Sequence, residues 1–217
     1  MGILSNFFDL FFPPKCIFCF KFLKKDEKVI CTHCQNTLPY TKGSGVSQSG
    51  EFFDVCVSPF YYVNNVRNSI LRFKFKGAMQ LAEHYGKYLA DCIKSELNGE
   101  YDIITWVPLS KTREKKRGYD QSMLLAYAVA LELNDVAVET LVKNVDVKAQ
   151  SSLGGKPERR ANIDGVYSVV DTELIEGKRI LIIDDIITTG STLSECSSML
   201  LQAGAEKIVC AALARGE

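Results

Sequence analysis

The sequence predicts an α/β fold, an open and mostly parallel sheet with helices on both faces, preceded by a small cysteine-rich module. Three observations predict it. Short apolar runs without alternation recur along the chain, as in strands buried on both faces. Segments of helical period stand between them. And of the eight cysteines, four cluster between Cys16 and Cys34, while Cys56, Cys92, Cys196 and Cys210 are scattered through apolar surroundings.

Three stretches divide the 217 residues. Residues 1–40 hold an apolar start and the cysteine cluster. Residues 41–51, Gly- and Ser-rich, have a linker's composition. Residues 52–217 form the main domain. Phe60-Tyr61-Tyr62-Val63 reads as its first strand, and the spacing of Leu81, Tyr85, Tyr88, Leu89, Cys92 and Ile93 predicts a helix over 79–97. Ile103 to Val107 is a buried strand stopped by Pro108, and a helix fits Gln121 to Leu133. Ile180 to Ile183 is a continuous apolar run, followed by a helix over 191–202 that Gly204 ends, and Ile208 to Leu213 closes the chain's core with a further strand. Strands alternating with helices give a parallel sheet covered on both faces.

Composition excludes some functions. Lysine plus arginine equals aspartate plus glutamate, 26 each, so no global field points to nucleic acid or membrane. The greasy start lacks a basic lead and a small-residue cleavage site, and no run of about 18 apolar residues occurs, so neither secretion signal nor transmembrane segment is expected. A cytoplasmic, reducing location follows, where paired cysteines point to metal before disulfide.

The most informative segment runs from Ile180 to Thr192. A buried strand ends in Asp184 and Asp185, and the loop Thr188-Thr189-Gly190-Ser191-Thr192 opens a helix. Ligands of open α/β sheets bind at the carboxyl ends of strands. Free amides at the helix start, with the loop hydroxyls, suit a phosphate. The two acids suit a neighbouring diol or a metal-chelated group. An ordinary Asp-Asp turn with a Ser/Thr cap would explain either half alone, but not the two together after a buried strand. Gly155-Lys156 is not a P-loop, since Gln150 stands where its first glycine belongs and Pro157 where Ser or Thr belongs.

Two further segments supply cations. Among residues 111–117, five of seven are basic, in a stretch that follows the Ile103–Val107 strand. Such a loop attracts an anion. The segment around Lys156, Arg159 and Arg160 is rich in chain breakers and reads as a lid.

Residues 180–192 closely resemble the phosphoribosyl-diphosphate (PRPP) signature of type I phosphoribosyltransferases. The resemblance implies that fold, with Asp184 and Asp185 on the ribose hydroxyls and Thr188, Thr189, Gly190, Ser191 and Thr192 on the 5-phosphate. It also implies pyrophosphate at Leu109, Ser110 and Lys111, and Mg²⁺ chelated by the diphosphate. Pro108-Leu109-Ser110, Arg117-Gly118-Tyr119-Asp120-Gln121, then Gln150, Leu153, Arg159, Arg160 and Asn162, resemble the ComF/ComFC competence family along nearly the whole chain. Phe73-Lys74-Phe75-Lys76-Gly77 and Phe12-Pro13-Pro14 fit the same family. Asp120 departs from an expected asparagine.

Cys16-Ile17-Phe18-Cys19 and Cys31-Thr32-His33-Cys34 are two C-x-x-C knuckles, which together close a tetrahedral Zn²⁺ shell with no open position. That predicts a structural, zinc-ribbon-like module with His33 as a bystander. Two functions remain in view. One is an enzyme binding PRPP and Mg²⁺ and transferring the phosphoribosyl group. The other, implied by the competence resemblance, is a non-catalytic accessory of transformation that binds single-stranded DNA. Lys115, Lys116 and Arg117 would contact the strand, Tyr119 would stack on bases, and other competence proteins would be partners.

Overall fold

A computed structural model describes residues 13–144 and 166–217. Lys156, Arg159 and Arg160, assigned above to a lid, and the apolar stretch 1–12 lie outside them.

The main sheet has the order β1-β2-β8-β7-β4, with β1 at Ser47–Gln48, β2 at Val55–Val57, β4 at Ile103–Trp106, β7 at Arg179–Ile187 and β8 at Lys207–Arg215. A short β3 (Phe60–Tyr61) also pairs with β8. Every pairing is parallel except that of β1 with β2. A separate antiparallel pair joins β5 (Leu141–Lys143) to β6 (Tyr167–Val169).

Period-two alternation along the central strands builds two cores. Leu181, Ile183, Val209, Ala211 and Leu213 face one side. There they meet α2 (Asn64–Phe75), α3 (Leu81–Glu96) and α5 (Gln121–Leu133), through Val66, Ile70 and Phe73, then Tyr85, Leu89 and Ile93, then Leu125 and Val129. Ile180, Ile182, Ile208, Cys210 and Ala212 face the other side, covered by Leu193, Cys196 and Leu200 of α6 (Ser191–Gln202). Both faces of the sheet are therefore dry, which is why these strands read as unbroken apolar runs.

The cysteine module, with its short α1 (Thr32–Thr37), is not a detached appendage. Phe18 is buried and packs edge-on against Phe60 and Tyr88, with ring centroids 5.6 and 5.9 Å apart. Among the described residues, no helix is long and apolar enough to cross a membrane.

Several elements differ from the sequence reading: α2, β2, β5 and β6 have no counterpart in it, and the strand expected over Phe60 to Val63 is the two-residue β3. The 41–51 stretch adds the edge strand β1, and Arg215 donates to the carbonyls of Gly45 and Ser47 at 2.9 Å each. β7 does not stop at the acid pair, because parallel pairing with β8 continues to Ile187 opposite Arg215. The basic stretch expected as a loop is a helix, α4 (Lys111–Arg117). Ser110 caps its start, accepting the Arg113 amide at 3.4 Å, and Gly118 closes it at φ 88, a left-handed conformation that glycine adopts without strain.

Candidate functional site

Asp184 and Asp185 sit where β7 emerges from the sheet, and each carboxylate has its own partner. The Ser122 hydroxyl, from the first turn of α5, donates to Asp184 Oδ1 at 2.9 Å, and the Asp185 amide donates to the same oxygen at 2.8 Å. Asp185 pairs instead with Lys74 of α2, Nζ to Oδ1 at 2.9 Å. Both acids line one cleft of about 220 Å³, together with Lys74, Leu109, Arg113, Arg117 and Lys143. Burial and the adjacent Asp185 charge push Asp184 up to about 7, against the pull of Lys74.

The loop after β7 forms a smaller pocket, lined by Asp184 and by Thr188, Thr189, Gly190, Ser191 and Thr192. Gly190 has φ 76, the left-handed conformation that favours glycine, and a Cβ there would stand 3.3 Å from the buried Phe53 ring, a tight approach. The Thr189 hydroxyl donates to Ser191 Oγ at 3.1 Å and accepts from the Ser191 amide at 3.4 Å, which folds the loop over the N-terminus of α6. Asp184, Ile186 and Thr192 border both this pocket and the larger cleft, so the two adjoin. A polyol could meet the acids while a phosphate it carries meets the loop amides and hydroxyls.

Of the three residues expected at a pyrophosphate position, Leu109 lines the cleft with Val107 and Pro108. Ser110 is buried as the cap of α4, and Lys111 is exposed at its start, apart from the cleft lining. Asp120 explains its own departure from asparagine. Its Oδ2 accepts the Leu109 amide at 2.6 Å and its Oδ1 the Met123 amide at 3.1 Å, so a purely accepting side chain ties the 107–110 turn to the start of α5. Burial pushes its carboxyl up, opposed by those amides.

Helix geometry sorts the basic residues. Arg113, Lys116 and Arg117 share one side of α4 and, with Phe75, line a hollow of about 320 Å³. The Arg117 guanidinium lies over the exposed Phe75 ring, 4.8 Å from its centroid. Lys115 does not line that hollow. Tyr119, expected to stack on bases, is buried, and its hydroxyl donates to the Phe73 carbonyl. An aromatic ring enclosed in the core cannot receive a base.

The Sγ atoms of Cys16, Cys19, Cys31 and Cys34 all lie within 4.8 Å of one another, those of Cys19 and Cys31 being 3.6 Å apart. A tetrahedral zinc with Zn–S bonds of about 2.3 Å separates its sulfurs by about 3.8 Å, so the donor set fits. Burial is outweighed at Cys16 by backbone N–H groups, which bring its thiol to about 7, whereas burial and the neighbouring sulfurs push those of Cys19 and Cys34 up. Asn65 donates to Cys34 Sγ at 3.6 Å.

The sequence reading missed Lys74, Ser122, Lys143 and Tyr167 as parts of the cleft. Lys74 stands in the Phe73-Lys74-Phe75-Lys76-Gly77 segment, but its pairing with Asp185 depends on α2 reaching β7, which no local pattern encodes. For Ser122 the available signal was its place in the first turn of a helix that follows the Arg117–Gln121 motif.

Comparison with known proteins gives a consistent result. Residues 120–217 match the family described as phosphoribosyl transferase domain. Over 194 residues the chain is 31% identical to Competence protein F of Haemophilus influenzae, covering 85% of this chain and 84% of that protein. It is 28% identical to Competence protein ComFC of Streptococcus pneumoniae, covering 91% and 80%. Similarity to the DNA utilization protein YhgH of Escherichia coli K12 is 31% over 49% of this chain and 46% of that one.

Proposed function

Because this chain belongs to the ComF/ComFC family of competence proteins, we propose that it serves DNA uptake in transformation through a cleft that binds PRPP with Mg²⁺. The observation that carries this reading is that the acid cleft and the hydroxyl-lined loop pocket adjoin, with Asp184 and Thr192 in the walls of both. Thr188 to Thr192 would take the 5-phosphate, and Asp184 and Asp185 the ribose hydroxyls. Mg²⁺ chelated by the diphosphate would neutralise its charge. Arg113, Arg117 and Lys143 line the remaining wall and would attract the diphosphate. In transfer, the bond from the anomeric carbon to the diphosphate breaks, its electrons leave with pyrophosphate, and a nucleophilic acceptor forms the new bond. Positioning and charge supply the acceleration, with no protein nucleophile needed. The four-cysteine cluster would hold zinc structurally.

Ligand-induced thermal stabilisation tests the reading. Mg²⁺ with PRPP is expected to raise Tm more than ribose 5-phosphate or pyrophosphate alone. Equal stabilisation by pyrophosphate would reduce the cleft to a general anion site and overturn it.

One observation favours single-stranded DNA as a second ligand. The hollow beside the cleft combines the exposed Phe75 ring with Arg113, Lys116 and Arg117, a stacking surface with cations on one side.

A further inference from the structure

Lys74 is a cation at the last turn of α2 whose partner is one of the two acids at the mouth of β7. Its side chain is 18% exposed and that of Asp185 9%, so the pair is shielded from solvent. Adjacent carboxylates repel strongly when both are ionised and half desolvated. Lys74 is positioned to relieve that repulsion at Asp185. Among the described residues, the charged or titratable groups around the same cleft are Asp184 on β7, Arg113 and Arg117 on α4, Asp120 before α5, and Lys143 and Tyr167 on the β5–β6 pair.

The earlier turns of α2 are held by the cysteine module. Asn65, Ser69 and Arg72, at i, i+4 and i+7, share one side of the helix. Asn65 donates to Cys34 Sγ, Ser69 to the Ile17 carbonyl, and Arg72 to the Phe18 carbonyl. The last contact is two residues, or about 3 Å of helix rise, before Lys74. The neighbouring side, about 100° round the helix, packs Val66, Ile70 and Phe73 into the core. Held on these two neighbouring sides, the helix ties the position of its last turn, where Lys74 stands, to that of the cysteine module.

We propose that Lys74 is a positioning residue for the acid pair, set in place by the cysteine module through helix α2. The proposal deepens the sugar-phosphate reading, on which its functional meaning rests.

The test is a carboxyl ¹³C NMR titration of the ligand-free, zinc-loaded full chain, with zinc content measured on each variant. Lys74→Met should raise the apparent titration midpoint of the Asp184–Asp185 pair by about one pH unit or more, a tenfold change in proton affinity, and Lys74→Arg should restore it. Arg72→Met, with zinc retained, should shift it in the same direction by a smaller amount. PRPP affinity near pH 7 should fall about tenfold in Lys74→Met and recover as pH is raised. An unchanged midpoint in Lys74→Met overturns the role of Lys74, and an unchanged one in Arg72→Met overturns the link to the module. Because the titration needs no ligand, a wild-type chain that ignores PRPP would sink the sugar-phosphate reading alone.

Discussion

Asp184 is held near pH 7 by burial and by the Asp185 carboxylate beside it, and two consequences follow for the residue scale. The folded state keeps this proton more tightly than the unfolded chain, where an aspartate titrates at about 3.9. The group's contribution to stability is therefore full below about pH 4 and is lost as pH rises toward about 7. Asp184→Asn removes that loss while keeping an acceptor for Ser122. It is expected to raise Tm by about 2–5 °C at pH 8, with little gain near pH 4, as measured by calorimetric scans. The opposite holds for binding. An ionised Asp184 accepts ribose hydroxyls better than a neutral one, so PRPP affinity should climb with pH through about 7 in the wild type and vanish in the variant. The acid pair and its loop were legible as chemistry in the sequence, because the residue types stand next to one another. Their separate partners, Ser122 and Lys74, come from 62 and 111 residues away, beyond any local pattern.

At the scale of elements, α4 decides which basic residues can act together. In the sequence the basic residues form a run, in which Lys115, Lys116 and Arg117 are neighbours. The helix regroups them, because its period places Arg113, Lys116 and Arg117 beside Phe75 and leaves Lys115 off that hollow. The signals for a helix, Ser110 ahead and Gly118 behind, were present but hidden by the charge density between them. Lys116→Ala with Arg117→Ala is expected to weaken single-stranded DNA binding several-fold and to reduce the slope of log affinity against log salt by about 1.4, roughly 0.7 per lost contact. Lys115→Ala should change either quantity little. Fluorescence anisotropy over a salt series checks this, and equal effects of Lys115 and Lys116 would show that binding follows charge and not the hollow. The long elements were legible throughout: α3, α5 and α6 are amphipathic or apolar over several turns, and β4, β7 and β8 are apolar runs. α2 escaped notice, although Val66, Ile70 and Phe73 keep helical spacing, since its polar residues face the cysteine module and blur the pattern.

For the whole molecule, the cysteine module and the main sheet share one core. The sequence suggested a metal module joined by a linker, because Gly43 to Gly50 has no apolar period to betray β1. In the fold, Phe18 enters a cluster with Phe60, Tyr85 and Tyr88. Phe18→Ala is expected to cost about 3 kcal/mol or more of stability to the whole chain, read by urea denaturation as a lowered midpoint of a single transition. Two separate transitions, with the main one unmoved, would mean that the module folds apart. The central claim, though, is that the acid pair and the hydroxyl loop form one seat for a phosphorylated pentose. Isothermal titration of PRPP in the presence of Mg²⁺ tests it most directly. The account predicts one saturable site in the wild-type chain, lost when Asp184→Asn and Asp185→Asn are combined. Absence of binding to the wild type, or binding unchanged in the double variant, would contradict it.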